Sequence, residues 1–140
     1  MSSPAISFHL VDIQFKVKQQ KKIKNWLIAV AAAEKKKVQA LNYIFCNDSY
    51  LLKMNREYLQ HETLTDIITF DYSEKATISG DIFISLERVT ENAEKYKVAF
   101  ENELLRVMVH GVLHLIGFND KTPSEKETMR AKENFYLELY

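Results

Sequence analysis

His110-Gly-Val-Leu-His114-Leu-Ile-Gly117-Phe-Asn-Asp120 places three metal-capable side chains around one glycine, at a spacing that a single zinc ion can use. Two imidazoles at i and i+4 stand one turn apart on the same face of a helix, within reach of one cation. Gly117 can take a backbone conformation that ends the helix, so that Asp120, three residues on, returns as a third ligand. Three protein ligands leave one position for water, as in catalytic zinc sites; structural zinc is closed by four. A lone histidine on an apolar helix is more often a hydrogen-bonded core residue, and a lone aspartate a turn residue. The shared spacing is what favours a metal. Of the chain's three glycines, Gly111 and Gly117 fall in this stretch. Gly111 costs a helix about 1 kcal/mol relative to alanine, which points to close backbone approach there, by helix packing or otherwise.

An absent residue narrows the chemistry. In metalloproteases of the His-Glu-x-x-His type, the glutamate after the first histidine is the general base. That position is Gly111 here, so peptide hydrolysis by that route is disfavoured. A metal could still lower the pKa of bound water from about 16 towards 7 and polarise a phosphoryl oxygen, which suffices to begin phosphodiester cleavage.

The elements that must position these ligands are legible from periodicity. Ile6 to Phe15 reads as a strand, Lys21 to Lys36 as an amphipathic helix and Val38 to Cys46 as a strand. Asn47-Asp48-Ser49 can cap a helix carrying Leu51, Leu52, Met54 and Tyr58. Strands follow near Asp66 to Tyr72 and Ile78 to Ser85, then helices at Leu86 to Tyr96, Glu101 to Ile116 and Pro123 to Leu139. Thr122-Pro123-Ser124-Glu125 has the pattern of a capping box with proline at the first helical position. The predicted fold is α/β or α+β: four strands interspersed with five helices, a mixed sheet covered by helices. The helix at 101–116 is nearly all apolar and should be central. Arg106, His110 and His114 form a polar stripe on it, which should line the floor of a cleft, since a buried charged row without one is expensive.

Length and composition bound the rest. One domain spanning residues 1–140 is expected, with 46% hydrophobic residues supplying its core. Cys46 is the sole cysteine, so no intrachain disulfide forms and a buried thiol in a reducing compartment is expected. No signal-like N-terminus or long apolar run occurs, predicting a soluble cytoplasmic protein without a membrane partner. Formal net charge is zero, yet residues 1–40 hold eight lysines against Asp12 and Glu34. Those lysines could attract phosphate backbones or simply solvate a helix face.

The stretch from His110 to Asp120 resembles the signature of the YbeY family of bacterial rRNA-maturation endoribonucleases, His-Gly-x-Leu-His-Leu-x-Gly-Tyr-Asp-His. Asn55 with Tyr58, Thr65-Asp66-Ile67-Ile68-Thr69-Phe70, Gly80-Asp81-Ile82, Glu125 and Met129 extend the likeness over roughly the last ninety residues. The resemblance implies a metal-dependent, single-strand-specific endoribonuclease in 16S rRNA 3′-end maturation and ribosome quality control. It further implies a four-stranded sheet with about five or six helices, one Zn²⁺ held by His110, His114 and residue 120, and rRNA or pre-ribosomal particles as partners. Three departures stand out: Asp120 replaces a histidine, Asn119 an aspartate, and Leu59 an arginine associated with activity. A carboxylate is an acceptable zinc ligand but shifts preference towards harder metals. Arg106 and Asp66 are the candidate substrate-binding residues, and Arg56 or Arg106 the candidates to replace the arginine missing at Leu59. A metallohydrolase of another substrate class, or an assembly factor with a structural metal, are the alternatives. Thr65 reads equally as a turn residue, Met129 as core, Glu125 as the capping-box partner, and Phe118 as packing or a base-stacking ring.

Overall fold

The computed structural model describes residues 5–58 and 65–140. Within them the order is β1 (Ala5–Leu10), α1 (Gln20–Ala33), β2 (Lys37–Cys46), α2 (Asp48–Tyr58), β3 (Ile67–Asp71), β4 (Thr77–Ser85), α3 (Leu86–Tyr96), α4 (Phe100–Ile116) and α5 (Pro123–Glu138). The strands form one sheet in the order β1-β2-β4-β3, with β1-β2 and β2-β4 parallel and β3-β4 antiparallel. This is the predicted mixed four-stranded α+β architecture, with five helices among the described residues.

The sheet is covered on both faces, and strand alternation divides the core accordingly. Leu41, Tyr43 and Phe45 of β2 and Ile82 and Ile84 of β4 are fully buried in the main core, shared with α1, α4 and α5. The opposite face carries a smaller cluster, Cys46, Ile68 and Phe83 with Leu51 of α2. Cys46 is a buried free thiol, as expected. Burying about a Leu-sized side chain contributes roughly 1.5–3 kcal/mol, and α4 supplies Leu104, Val107, Met108, Val109, Val112, Leu113 and Leu115 to the core. Helix α4 is therefore the central post, as its apolarity predicted. Two polar tips tie the layers: Tyr43 donates its hydroxyl to the Met108 carbonyl at 2.9 Å, and Trp26 donates its indole N–H to the Tyr136 carbonyl at 2.8 Å.

Two predicted boundaries move. The first strand ends at Leu10 rather than Phe15, because Asp12 turns left-handed at φ 55° just after Val11 makes a last ladder bond to Phe45. Phe15 then packs edge-on against Phe45 and Phe100 instead of extending the sheet. The first helix stops at Ala33, since Lys35 at φ 64° reverses the chain and frees Lys37 to open β2. Among the described residues no helix is long and apolar enough to cross a membrane.

Candidate metal centre

The last turns of α4 present His110 and His114, and Gly117 delivers the third group. Gly117 adopts φ 127°, strained for other residues, and its N–H bonds the Leu113 and His114 carbonyls at 3.1 Å. The chain doubles back over the loop 118–121 and is caught by the capping box that opens α5. Glu125 N–H donates to Thr122 Oγ1 at 3.1 Å, while Thr122 and Lys121 N–H groups donate to Glu125 Oε1 at 2.9 and 3.2 Å. Glu125 is thus the capping partner anticipated from its spacing, and the cap fixes where Asp120, two residues before it, can sit. Gly111 lets α4 approach the sheet closely: a Cβ there would lie 2.9 Å from Ile82 Cδ1 and 3.2 Å from Ile67 Cδ1.

Asp120 Oδ2 lies 3.2 Å from His110 Nε2 and 3.3 Å from His114 Nε2. One donor atom from each of the three residues falls within 4.8 Å of the others. Ligands held about 2.0–2.1 Å from an ion at tetrahedral angles stand about 3.3 Å apart, the spacing Asp120 keeps from each histidine. Two imidazoles and a carboxylate are a donor set that zinc accepts.

Behind His110 stands a residue that spacing alone did not reveal. Glu133 on α5 lies with Oε2 2.6 Å from His110 Nδ1, and Arg106 Nη1 donates to its other oxygen at 2.9 Å. Arg106 also donates to Asn134 Oδ1 at 2.9 Å, and Arg130 Nη1 lies 3.7 Å from Glu133 Oε1. Glu133 is 5% exposed. Burial alone would raise its pKa, but the hydrogen bonds to His110 and Arg106 and the nearby cations outweigh that and hold it below the usual carboxylate range. For His110 burial opposes the charged form, while Glu133, Asp120 and Asp66 more than compensate and raise its pKa. His114 shifts the other way, lowered by burial and by its neighbour His110. A carboxylate on Nδ1 selects the tautomer whose Nε2 lone pair faces the ligand point and locks the ring. The clue lay in α5: Met129, Glu133 and Tyr136 recur at helical spacing and all three are buried, so an acidic side chain sits within an inward-facing stripe.

These groups open into a cleft of about 880 Å³ between α4, α5 and the β3 edge. Arg106, His110 and His114 line it together, as the stripe predicted. Asp66 lines it too, at the entrance to β3, its pKa raised by burial against the partly offsetting charge of His110. Lys121, Lys126 and Arg130 supply further positive charge there. The N-terminal lysines do not join them: Lys21 and Lys24 lie beside β1 along a separate groove. Met129 serves both core and cleft wall. Phe118 packs against the core, with Lys132 Nζ 5.2 Å from its ring centre. Arg56 closes α2, and Leu59 lies outside the described residues.

Fold and site together define a small α+β protein whose central helix and following loop carry an open, three-residue metal-capable centre. A family model described as Endoribonuclease YbeY matches residues 6–140, and the chain belongs to this family. An Endoribonuclease YbeY of Flavobacterium psychrophilum is 50% identical over 135 residues, covering 96% of each chain. That of Cytophaga hutchinsonii is 51% identical over 140 residues, covering 99% of this chain and 98% of its own. The solution structure of a Thermotoga maritima protein superposes with a TM-score of 0.66 at 27% identity, covering 95% of this chain and 87% of that one.

Proposed function

We propose that the protein is a metal-dependent, single-strand-specific endoribonuclease that matures the 3′ end of 16S rRNA and serves ribosome quality control. It works in the cytoplasm on rRNA or pre-ribosomal particles, with one Zn²⁺ held by His110, His114 and Asp120. The observation that carries this reading is the meeting, in one cleft, of a three-ligand metal centre with Arg106, Lys121, Lys126 and Arg130. Cations around a metal centre suit a polyanion whose backbone must be neutralised along its length. Relatives about half identical to the chain bear the name Endoribonuclease YbeY.

When bound, the ion supplies Lewis acidity, polarising a phosphoryl oxygen and acidifying water. The chain's own residues do the rest. Glu133 fixes His110 so that Nε2 faces the reaction point, and Arg106 holds Glu133 ionised while adding positive charge to the cleft wall. Lys121, Lys126 and Arg130 bind phosphates on either side of the scissile bond. Asp66, across the cleft, orients substrate. Gly111 leaves no carboxylate beside the first histidine, which weighs against a peptidase.

Metal analysis paired with cleavage of a 16S 3′-end RNA tests the proposal. His114→Ala should lose stoichiometric metal and RNA cleavage together, and chelation should abolish cleavage of unpaired RNA by the parent. Undiminished cleavage by metal-free His114→Ala protein would overturn it. Metal-loaded protein that cleaves no RNA, yet melts lower after chelation, would point to a structural ion instead.

A further inference from the structure

Two helical turns before His110, on the same face of α4, sits a carboxylate that the metal centre does not use. Glu103 is 6% exposed and lines the cleft, yet among the described residues it makes no side-chain hydrogen bond or ion pair. Since no buried side-chain oxygen among those residues lacks a partner, the Glu103 oxygens must reach the cleft rather than end in the core. Glu101, two positions before it in the same first turn, is exposed, so the burial of Glu103 is not a requirement of the helix start. Holding a carboxylate in a largely buried position with no hydrogen-bond partner from the protein is costly. Burial raises its pKa, with Arg106 and Arg130 opposing the rise and Asp66 and Glu133 adding to it. A ligand bringing donors to this spot would relieve that cost.

The surroundings choose the ligand. A second metal ion is disfavoured, because among the described residues the side chains grouped closely enough to hold one are His110, His114 and Asp120, and Glu103 stands outside that group. A nucleotide satisfies both signs, with its phosphate on the cations and its base edge on the carboxylate. Glu103 lies about 10 Å from His110 along the helix axis, a separation that a base flanking the scissile phosphate can span. In unpaired RNA the Watson–Crick edge is free to be read. Of the four bases, guanine alone offers two adjacent donors there, N1–H and N2–H, matching the two oxygens of a carboxylate.

We propose that Glu103 is a specificity-determining residue that reads an unpaired guanine next to the cleavage site. This rests on the endoribonuclease reading above. The test is equilibrium binding and cleavage of short single-stranded oligoribonucleotides that differ at one position in carrying guanine, inosine or adenine. The parent should prefer guanine over adenine by about tenfold at one position, the worth of a good bidentate base contact, with inosine, which keeps only N1–H, between them. Glu103→Gln should collapse the guanine-to-adenine ratio towards one. Equal binding of all three by the parent, or an unchanged ratio in Glu103→Gln, overturns the inference. RNA cleaved without base preference sinks this inference and leaves the nuclease reading intact. Guanine-selective binding without cleavage under any metal does the reverse.

Discussion

The two halves of the ligand set are built differently. His110 sits on a rigid helix, 18% exposed in its side chain, with its ring pinned by Glu133, which Arg106 pins in turn. Asp120 sits on the loop after Gly117, 37% exposed in its side chain, and among the described residues its ion-pair contacts run only to the two histidines. One half is specified by packing across two helices; the other by a glycine turn and a helix cap. Such a centre tolerates change on its loop side. A loop-borne ligand can be exchanged with little repacking, consistent with an aspartate standing where the resembled signature has histidine, whereas the helix-borne half cannot move without disturbing α5.

Glu133→Ala should have the largest effect. It leaves all three ligands but strands Arg106 and His110, so it should cost about 3 kcal/mol of stability and lower metal affinity roughly 10–100-fold. Chemical denaturation and competitive metal titration read both; an unchanged midpoint would show that the clamp is ornamental. Asp120→Ala should instead abolish stoichiometric metal while changing the stability of metal-free protein by less than about 0.5 kcal/mol, as an exposed site allows. Asp120→His should retain metal, and loss of metal in that variant would mean the loop cannot re-aim its ligand.

The cleft cations can be set against the N-terminal lysines in the same spirit. Removing Lys126 and Arg130 together should reduce the slope of log affinity for single-stranded RNA against log salt by about 1.4, while Lys21→Ala with Lys24→Ala leaves it unchanged. Equal losses from both pairs would move the RNA path away from the cleft.

The smallest effect concerns the far end of α5, where Glu34 accepts hydrogen bonds from Lys132 at 2.9 Å and from Tyr136. Burial pushes the Glu34 pKa up, but these partners outweigh it and depress it. Its contribution, about 1 kcal/mol, is therefore present above the ordinary glutamate range and lost as pH falls through the depressed value. Thermal melts of Glu34→Gln against the parent should differ most at neutral pH and converge in acid; a pH-independent gap would refute the linkage.

What local pattern dictates, the sequence by itself determined: strand and helix identities, the central post α4, the capping box at Thr122, and the three metal-capable residues, because i, i+4 spacing and a glycine stop act within a dozen residues. Boundaries at Leu10 and Ala33 escaped, since Asp12 and Lys35 are left-handed without being glycines, Lys35 within a helix-ending pair of backbone bonds, Lys35 N–H to Ala32 and Lys36 N–H to Ala31. The tertiary structure alone decided what comes from far along the chain. Glu133 meets His110 across 23 residues, and Lys126 and Arg130 join the cleft while the richer lysine cluster does not. The physical reason is that hydrophobic periodicity says which face of a helix is buried, but not which neighbour it meets. The partner of a buried charge is set by how helices pack, and that pairing is what turns a spacing motif into a site.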